Sequence, residues 1–245
     1  MAGAALLVVG RWKSGRVVST REETPSGRSI VLDVPGWGGN IAGQHVDVRL
    51  TAEDGYTATR SYSIASADGS DRIELAVDRL PDGEVSPFLV DVLAVGDELE
   101  VRGPLGGWFV WKPEQTEPVQ LIAGGSGIVP IVAMIRAHAA AGSRARFELL
   151  YSVRTPSDVF FASELEGLTT TYGRTTVYTR EVPTGWPVLP GRVTREVLAE
   201  HTIPASERPS VFVCGPTGFV EAIADWLVEL GHDPARVKTE RFGGT

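Results

Sequence analysis

The spacing of hydrophobic residues changes near residue 115, and this change limits the chain to few architectures. Up to about residue 110, short segments of alternating apolar and polar residues are separated by Gly and Pro, as in a small antiparallel barrel. Later, short apolar segments alternate with longer helix-like ones, as in a doubly wound parallel sheet. The segment Lys112–Pro118 between them is polar and bracketed by prolines. We therefore predict two domains, residues 1–115 and 116–245.

Local patterns predict the individual elements. The predicted strands of the first domain are Ser29–Val34, Val46–Leu50, Arg60–Ile64, Ile73–Val77 and Glu98–Val101. Its one predicted helix has Ser86 as N-cap and Pro87 in the first helical position, and it continues through Leu93. The predicted strands of the second domain are Val119–Ala123, Phe147–Tyr151, Thr176–Tyr178, Val211–Val213 and Val237–Thr239. Its predicted helices are Ile131–Ala141, Asp158–Leu165 and Phe219–Leu230.

Composition excludes several classes of function. The single cysteine, Cys214, excludes an intrachain disulfide, a four-cysteine iron–sulfur cluster and a CxxC zinc site. The four histidines show no metal-ligand spacing. A formal net charge of −8 argues against binding to nucleic acid. We therefore expect no bound metal, and any iron–sulfur cluster must belong to a partner.

The apolar segment Ala4–Val9 is too short to span a membrane, and no basic region precedes it as in a secretory signal. We expect this segment to form an edge strand or a frayed end. The default expectation is a cytoplasmic monomer without a membrane span.

A glycine-rich loop, Gly124–Pro130, follows the first predicted strand of the second domain and leads into its first helix. Glycines at such a turn let backbone amides approach a phosphate, and the helix N-terminus favours its negative charge. The spacing differs from GxGxxG, so a tight turn without a ligand is the alternative. Cys214 begins a second turn where a strand ends, and ligands of open α/β sheets bind beyond the carboxyl ends of the strands.

In the first domain, the segment Arg60–Ser63 carries a cation, an aromatic ring and hydroxyl groups. The strand period of two places Arg60 and Tyr62 on the same face. Further along, Gly83–Ser86 stands at the start of the predicted helix, where an anion is favoured. The alternative is a solvated strand face, because Arg and Ser are mostly exposed residue types. Together with the glycine loop, these segments predict two phosphate sites and therefore two nucleotides.

In their order and spacing, these motifs resemble those of the ferredoxin–NADP reductase family in its standalone form without an iron–sulfur domain. Each motif is weak by itself, but their joint order is specific. The resemblance covers essentially the whole chain. The motifs are Ala42-Gly43-Gln44, Arg60-Ser61-Tyr62-Ser63, Gly83-Glu84-Val85-Ser86, Gly96-Asp97, Gly103-Pro104-Leu105-Gly106, Gly124–Pro130, Cys214-Gly215-Pro216 and Glu240-Arg241-Phe242.

The resemblance implies that the N-terminal β-barrel binds flavin and that the C-terminal α/β domain binds NAD(P). Arg60 would pair with the flavin phosphate, Tyr62 would pack against the isoalloxazine, and Ser63 would hydrogen-bond near N5. The other implied flavin-binding residues are Ala76, Val77, Gly83, Val85 and Ser86. We expect FAD rather than FMN, although some relatives use FMN.

On the nicotinamide side, the resemblance implies that the glycine loop holds the pyrophosphate and that the turn after Val213 borders the nicotinamide. Cys214 would be a small polarizable wall, because no base activates it as a nucleophile. The residues implied for these two roles are Gly124, Gly125, Gly127, Pro130, Cys214, Gly215 and Pro216.

Near the C-terminus, Glu240 and Phe242 take the family's acidic and aromatic positions. With Ser63 and Cys214, they are the predicted catalytic residues, and Glu240 with Ser63 would relay a proton to the flavin. Many plant-type members end on the aromatic residue, whereas this chain continues through Gly243–Thr245. That tail would fold back over the adenine region or remain loose.

The choice between NADPH and NADH depends on whether the chain can bind a 2′-phosphate, a group that is bound by arginines and hydroxyls. Ser152, Arg154, Thr179 and Arg180 follow the second and third strands of the second domain. The run Thr179-Arg180-Glu181 resembles one in NADPH-using relatives, so we expect NADPH rather than NADH. Arg154 also has counterparts in NADH-using members, and Arg192 is a weaker candidate for the same pocket.

The expected function is an NAD(P)H-dependent flavoprotein reductase that passes hydride from nicotinamide to FAD and then electrons to a separate acceptor, a ferredoxin or similar redox protein. One alternative is direct reduction of a quinone, a nitro compound or a ferric chelate. Another is a non-catalytic nucleotide-binding subunit, which has less need of the motif residues. Arg11, Lys13 and Arg16 form a basic cluster that could bind an acidic partner protein. The alternative is that these residues are only the solvated end of a strand.

We predict no functional role for the histidines or for Trp108 and Trp111. His45 is expected to be structural, and His138, His201 and His232 to lie on the surface. Trp108 and Trp111 are expected to pack in a core near the domain junction.

Overall fold

The computed structural model describes residues 11–169 and 171–242. The segment Ala4–Val9 and the tail Gly243–Thr245, for which expectations were given above, lie outside these residues.

Six antiparallel strands form the first sheet, in the order β4-β3-β6-β1-β2-β5. A bridge between Ile64 and Leu75 joins the two ends of this order, so the sheet closes into a barrel. The predicted antiparallel barrel is confirmed. The strands are β1 (Lys13–Thr24), β2 (Gly27–Asp33), β3 (His45–Thr51), β4 (Thr57–Ser63), β5 (Arg72–Asp78) and β6 (Glu98–Leu105).

Apolar residues of alternate positions fill the barrel, including Ile30 and Leu32 on β2 and Val46 and Val48 on β3. β1 was not predicted, although it is the longest strand. Most of its side chains are half-buried or exposed, so it lacks the clear apolar alternation that marks a strand in the sequence.

The predicted helix after Ser86 is a five-residue π-helical turn, Phe88–Val92. Ser86 does not cap it, because the N-cap is Pro87 and the Ser86 hydroxyl instead accepts a hydrogen bond from the Leu80 amide at 3.0 Å. The Ser-Pro pattern therefore located a turn correctly but not a regular α-helix.

Five parallel strands form the second sheet, in the order β11-β10-β7-β8-β9. This confirms the predicted doubly wound α/β domain. The strands are β7 (Val119–Gly124), β8 (Phe147–Val153), β9 (Gly173–Tyr178), β10 (Ser210–Pro216) and β11 (Val237–Phe242). The helices are α1 (Ile128–Ala140), α2 (Ala162–Gly167), α3 (Arg195–His201) and α4 (Thr217–Glu229).

Helices cover both faces of the parallel sheet. The apolar side of α1 packs on one face, in a cluster with Leu121 and Phe212. Residues of α3 and α4 pack on the other face around Ile122 and Val213. The strands are consequently buried on both sides, which explains their continuous apolar sequences.

Two predicted helix starts are wrong by several residues. α1 begins at Ile128 rather than Ile131, because a proline is tolerated in the first turn of a helix. α2 begins at Ala162 rather than Asp158, because Asp158 belongs to a capping box with Thr155 that closes a separate 3-10 turn.

A partly buried ion-pair network joins the two domains. The Arg136 guanidinium on α1 lies 2.6 Å from a carboxylate oxygen of Glu74 on β5 and 2.6 Å from one of Glu164 on α2. It also donates to the Ala65 carbonyl at 3.0 Å. Because Glu74 and Ala65 belong to the barrel, this arginine fixes the second domain against the first. β6 ends at Leu105 and β7 begins at Val119, so the boundary near residue 115 falls in the connection and remains a prediction.

The predicted exposure of three side chains is wrong. His138 is buried, with Nε2 2.8 Å from the Ala145 carbonyl oxygen and its ring against Phe147. His232 is also buried. Trp111 lies in the core as expected, whereas Trp108 is 60% exposed because it sits on the loop that follows Gly106.

Among the described residues, no helix combines the length and the apolar character needed to cross a membrane.

Candidate functional site

Two adjoining cavities open between the barrel and the parallel sheet. The first, of about 430 Å³, lies against β4, β5 and residues 83–86, which precede the π-helical turn, and we call it the barrel cavity. The second, of about 390 Å³, lies beyond the carboxyl ends of β7 and β8, and we call it the sheet cavity. The residues that line both are Asp78, Leu80, Ser126 and Phe242.

Most of the predicted site residues line one of these cavities. Those in the barrel cavity are Arg60, Tyr62, Ser63, Ala76, Val77, Gly83, Val85, Ser86 and Phe242. Those in the sheet cavity are Gly124, Gly125, Ser152, Arg154, Thr179, Pro216 and Phe242. Those outside both linings are Gly127, Pro130, Arg180, Cys214, Gly215 and Glu240.

Arg60 and Tyr62 extend from β4 into the barrel cavity. The Arg60 guanidinium is ion-paired with Glu84 at 2.6 Å and donates to the Thr59 carbonyl at 2.8 Å. Burial raises the pKa of Tyr62 to about 12, so its ring stays neutral at physiological pH. These two residues thus offer the cavity an oriented cation and a neutral aromatic ring.

Gly83 is required by the tight turn beside these residues. A Cβ atom at this position would lie 2.9 Å from the Ser86 hydroxyl and 3.1 Å from the Leu80 carbonyl oxygen. The Gly83 amide donates to that same Leu80 carbonyl at 2.9 Å. The absence of a side chain at Gly83 therefore lets the turn pack closely on Leu80 and Ser86. The Gly83 amide is already hydrogen-bonded within the protein.

The glycine loop forms one 3-10 turn, Gly125–Gly127, that runs directly into α1. Gly125 has φ of +56°, which favours glycine, and open space lies above it. A Cβ at Gly127 would collide with the Cys214 carbonyl, so this glycine packs the loop against β10. The N-terminus of the thirteen-residue α1 thereby stands at the junction of the two cavities, with Ser126 in the lining of both.

Two of the predicted residues serve to pack this region, and a third lies outside both cavities. Pro130 is buried in α1, and Gly215 packs against Phe219. Arg180 is exposed, and its amide donates to the Arg154 carbonyl at 2.9 Å. Arg154 and Thr179 line the sheet cavity, whereas Arg180, with which they were grouped, does not.

Asp158 is a site residue that the sequence reasoning missed. Its carboxylate lines the sheet cavity and lies 3.1 Å from the Arg154 guanidinium. The Thr155 amide and hydroxyl donate to its other oxygen at 3.0 and 2.8 Å. The Thr-x-x-Asp pattern of a capping box was the available signal for this arrangement. The predicted 2′-phosphate arginine thus already has an acidic partner.

Glu84 was present in a recognised motif but given no role. It lines the barrel cavity, and its two oxygens bind Arg60 and the Tyr56 hydroxyl. The motif was read only for Gly83, Val85 and Ser86, so this acidic residue was overlooked.

Glu240, Cys214 and His45 gather beside the barrel cavity. Glu240 and Cys214 are register neighbours on β11 and β10, and His45 opposes Ser63 across β3 and β4. His45 Nδ1 lies 3.9 Å from Glu240 Oε1. The other oxygen of Glu240 is buried without a hydrogen-bond partner among the described residues. His45, expected to be only structural, is therefore part of this cluster.

Burial controls the protonation of the cluster. It raises the pKa of Glu240 to about 7 and lowers the pKa of His45, even though the nearby Asp47 acts in the opposite direction on that histidine. Burial also raises the pKa of Cys214, with a further contribution from the charge of Glu240. Cys214 is thus an inert thiol, whereas Glu240 can change its charge near neutral pH.

Among residues 11–169 and 171–242, no group of three His, Cys, Asp or Glu side chains could hold a metal ion. The cavities instead present a cation, glycine turns, a helix N-terminus and aromatic rings, which are features that bind nucleotides.

Two family models match the chain. The oxidoreductase FAD-binding domain matches residues 8–110, and the oxidoreductase NAD-binding domain matches residues 121–225. These ranges correspond to the barrel and to the parallel sheet.

Individual proteins are similar over most of the chain. The glycine betaine monooxygenase reductase subunit of Chromohalobacter salexigens is 32% identical over 83% of this chain and 56% of its own length. The NADH-cytochrome b5 reductase 1 of Candida albicans is 30% identical over 79% of this chain and 67% of its own length. This chain therefore spans between about half and two thirds of these curated relatives. The FAD/NAD-binding domain of nitric oxide dioxygenase from Vibrio cholerae superposes with a TM-score of 0.84 at 28% identity, covering 96% of this chain and 100% of that one.

Proposed function

The chain belongs to the ferredoxin–NADP reductase family of NAD(P)H-dependent flavin oxidoreductases, and we propose that it carries electrons from a reduced nicotinamide, through FAD, to a separate redox protein. The observation that carries this proposal is the meeting of the two cavities at Phe242 and Ser126. Two nucleotides bound in adjoining cavities would have their reactive rings at this junction.

The residues of the barrel cavity fit a flavin nucleotide. Arg60 supplies a cation for phosphate, the tight turn at Gly83 lines the cavity beside it, and Tyr62 supplies a partly buried neutral ring. When bound, FAD supplies the redox chemistry, because it accepts hydride from nicotinamide and releases electrons to an acceptor. The protein has to hold, orient and shield the two nucleotides.

Ser63 and Glu240 are proposed to handle the proton of this chemistry. Ser63 lines the barrel cavity and offers a hydroxyl donor, and Glu240 is a partly buried carboxyl whose pKa of about 7 lets it take up or release a proton at physiological pH. Cys214, next to Glu240 and uncharged, is proposed to be an apolar wall at the end of β10. Phe242, at the junction, is proposed to shield the flavin ring.

The sheet cavity is proposed to hold the nicotinamide nucleotide. The open space at Gly125 and the N-terminus of α1 suit its pyrophosphate. At its other end, the Asp158 carboxylate pairs with Arg154 and would repel a 2′-phosphate, while it could accept a hydrogen bond from a ribose 2′-hydroxyl. This favours NADH as the donor, in contrast to the NADPH preference expected from the sequence, which remains untested.

The electron acceptor is proposed to be a protein, a ferredoxin or a similar carrier. The names of the relatives support this class, since one is a subunit of a monooxygenase system and another reduces cytochrome b5. The basic cluster suggested for docking is partly used within the chain, because Arg16 pairs with Glu98 and Lys13 donates to the Gly36 carbonyl. Direct reduction of a small molecule such as a quinone remains the second candidate, and the cytoplasmic location and monomeric state remain predictions.

The decisive experiment is an anaerobic titration of the purified, flavin-loaded protein with NADH and, separately, with NADPH. The flavin absorbance should bleach at lower concentrations of NADH. Turnover should then be faster with ferredoxin or cytochrome b5 than with a quinone or a ferric chelate. A protein that retains FAD but is not bleached by either nucleotide would contradict the proposed function.

A further inference from the structure

Trp108 is an exposed tryptophan on a loop that is held in place by the start of the barrel strand β3. The loop leaves β6 at Gly106, whose carbonyl accepts a hydrogen bond from the Gln44 side chain at 2.8 Å. The same Gln44 side chain accepts from the Ile41 amide at 2.8 Å. One glutamine therefore ties together two neighbouring segments, and each of them carries an exposed apolar side chain, Ile41 or Trp108.

Lys238, on β11, lies against the same loop. Its ammonium group donates to the Val110 carbonyl at 3.3 Å, and it lies 5.6 Å from the centre of the Trp108 ring and 4.9 Å from that of Phe212. Within residues 11–169 and 171–242, no carboxylate lies at ion-pair distance from this ammonium, and Glu117 acts on it only from further away. Because the group is partly removed from water, the carboxylate of a binding partner would stabilise its charge.

The surface formed by these residues lies close to the barrel cavity, with His45 between them. A Cβ atom at Gly106 would be 3.2 Å from His45 Nδ1, and His45 opposes Ser63 of the cavity lining across β3 and β4. On β11, Lys238 precedes Glu240 by two residues, so the two project from the same face of the strand. Electrons from a flavin in the barrel cavity would thus have a short path to a protein seated on this surface.

We propose that Ile41, Trp108 and Lys238, here called the tryptophan patch, form the surface on which the electron-accepting protein docks, and that this partner presents acidic residues around its redox centre. The inference rests on the proposed function and deepens it, because it locates the acceptor. Tryptophan is enriched among the residues that dominate binding energy at protein interfaces. A chain with a net charge of −8 repels an acidic partner, so docking requires a local cation without an acidic partner of its own.

The test compares a protein acceptor with ferricyanide, a small acceptor that needs no docking surface, at a saturating concentration of the preferred nicotinamide nucleotide. Cytochrome b5 and ferredoxin are the protein probes, and the one that wild type reduces faster is used. Trp108→Ala should raise the KM for this protein by about tenfold, as expected for loss of an interface hot spot. The kcat/KM for ferricyanide and the rate of flavin bleaching should change by less than about twofold.

A second variant tests the charge of the patch. Lys238→Gln removes the cation, so kcat/KM for the protein acceptor should fall by about threefold and should depend less on ionic strength. Trp186→Ala is the matched control, because Trp186 is a partly exposed tryptophan that packs on Tyr178 of β9, at the edge of the parallel sheet opposite β11. Its KM for the protein acceptor should stay within about twofold of wild type.

The outcomes separate this inference from the proposed function. An unchanged KM for the protein acceptor in Trp108→Ala, or an equal loss with ferricyanide, would overturn the patch while leaving the reductase function intact. A wild-type protein that reduces ferricyanide but neither protein would overturn the patch together with the protein acceptor. A wild-type dimer that Trp108→Ala dissociates in sedimentation would assign the patch to a second copy of the chain and overturn the proposal. Should Trp108→Ala fail to fold, Ile41→Glu places a negative charge on the patch and must show the same protein-selective loss.

Discussion

Glu240 and Cys214 are paired in the register of the parallel strands β11 and β10, and the charge of Glu240 contributes to the raised pKa of the Cys214 thiol. Each residue follows a different helix in the chain, and only the sheet brings them together. This pair combines a carboxyl that titrates near neutrality with a thiol that does not ionise, so the two predicted catalytic residues should respond differently to pH.

Stability should fall as pH rises through the titration of Glu240. Its pKa is about 7 in the folded protein and 4.5 is the ordinary value, so between these values the folded state binds more protons than the unfolded state. The raised pKa predicts a loss of up to about 3 kcal/mol of unfolding free energy between pH 5 and pH 8. Urea denaturation at both pH values measures it. Glu240→Gln should lack this component, and an equal pH dependence in both proteins would contradict the assignment.

The single cysteine should be unreactive in the folded protein. Because burial raises the pKa of Cys214, iodoacetamide at pH 8 should alkylate the native protein at least about a hundredfold more slowly than the urea-unfolded protein. Mass spectrometry follows the reaction. Cys214→Ser should retain part of the rate of flavin reduction; complete loss with both nucleotides still bound would support covalent participation of the thiol.

Ser63 should affect the rate of flavin reduction and not the retention of FAD. Removal of one hydrogen bond made in the transition state corresponds to a decrease of about tenfold. Stopped-flow measurement of flavin bleaching by NADH in Ser63→Ala tests this. Ser70→Ala is a suitable control, because the Ser70 hydroxyl bonds to Asp68 outside both cavities. An unchanged rate in Ser63→Ala would remove this residue from the mechanism.

Asp158 should determine which nicotinamide nucleotide is used. Asp158→Asn removes the negative charge beside Arg154 and should shift the ratio of kcat/KM for NADPH over NADH upward by about tenfold. The ratio is informative even if loss of the capping box with Thr155 lowers stability. Asp158→Glu keeps the charge and should preserve the preference for NADH. A wild-type preference for NADPH would show that Arg154 remains available to a phosphate.

Arg136 should be a major contributor to the stability of the two-domain arrangement. Arg136→Leu leaves the partly buried carboxylates of Glu74 and Glu164 unpaired and should cost about 3 kcal/mol of unfolding free energy. Arg146 makes comparable but exposed ion pairs, so Arg146→Leu should cost less than about 1 kcal/mol. Urea denaturation of both variants compares them. Similar losses would indicate that burial of the Arg136 network is unimportant.

Much of the fold could be predicted, because hydrophobic period and turn residues are local properties of the chain. The strands around Val46 and Val211 and the helix after Thr217 lie close to their predicted positions. β1 could not be predicted, because its stability comes from pairing with β2 and β6 and not from an apolar face of its own. The start of α2 was misplaced because a local capping box competed with the helical pattern.

The candidate site was predictable in its motifs but not in its pairings. Arg60 and Gly124 stand out as residue types that suit phosphates, whatever their surroundings. Glu84 and Asp158 were missed because an isolated acidic residue in a sequence gives no indication of the arginine it will meet. His138 was misassigned because helix position alone does not show which side of α1 is covered by Trp111 and Phe147.

The sequence by itself determined the two-domain architecture, the nucleotide-binding turns and the absence of a cysteine-based metal site, since these depend on periodicity, glycine position and composition. Only the tertiary structure decided that Asp158 pairs with Arg154, that Glu84 joins Tyr56 to Arg60, and that Glu240 is partly buried beside His45. The physical reason is that burial and charge pairing depend on distances in space. Those distances are set when separate strands and helices pack together, and they determine which groups are charged and which ligand groups the cavities accept.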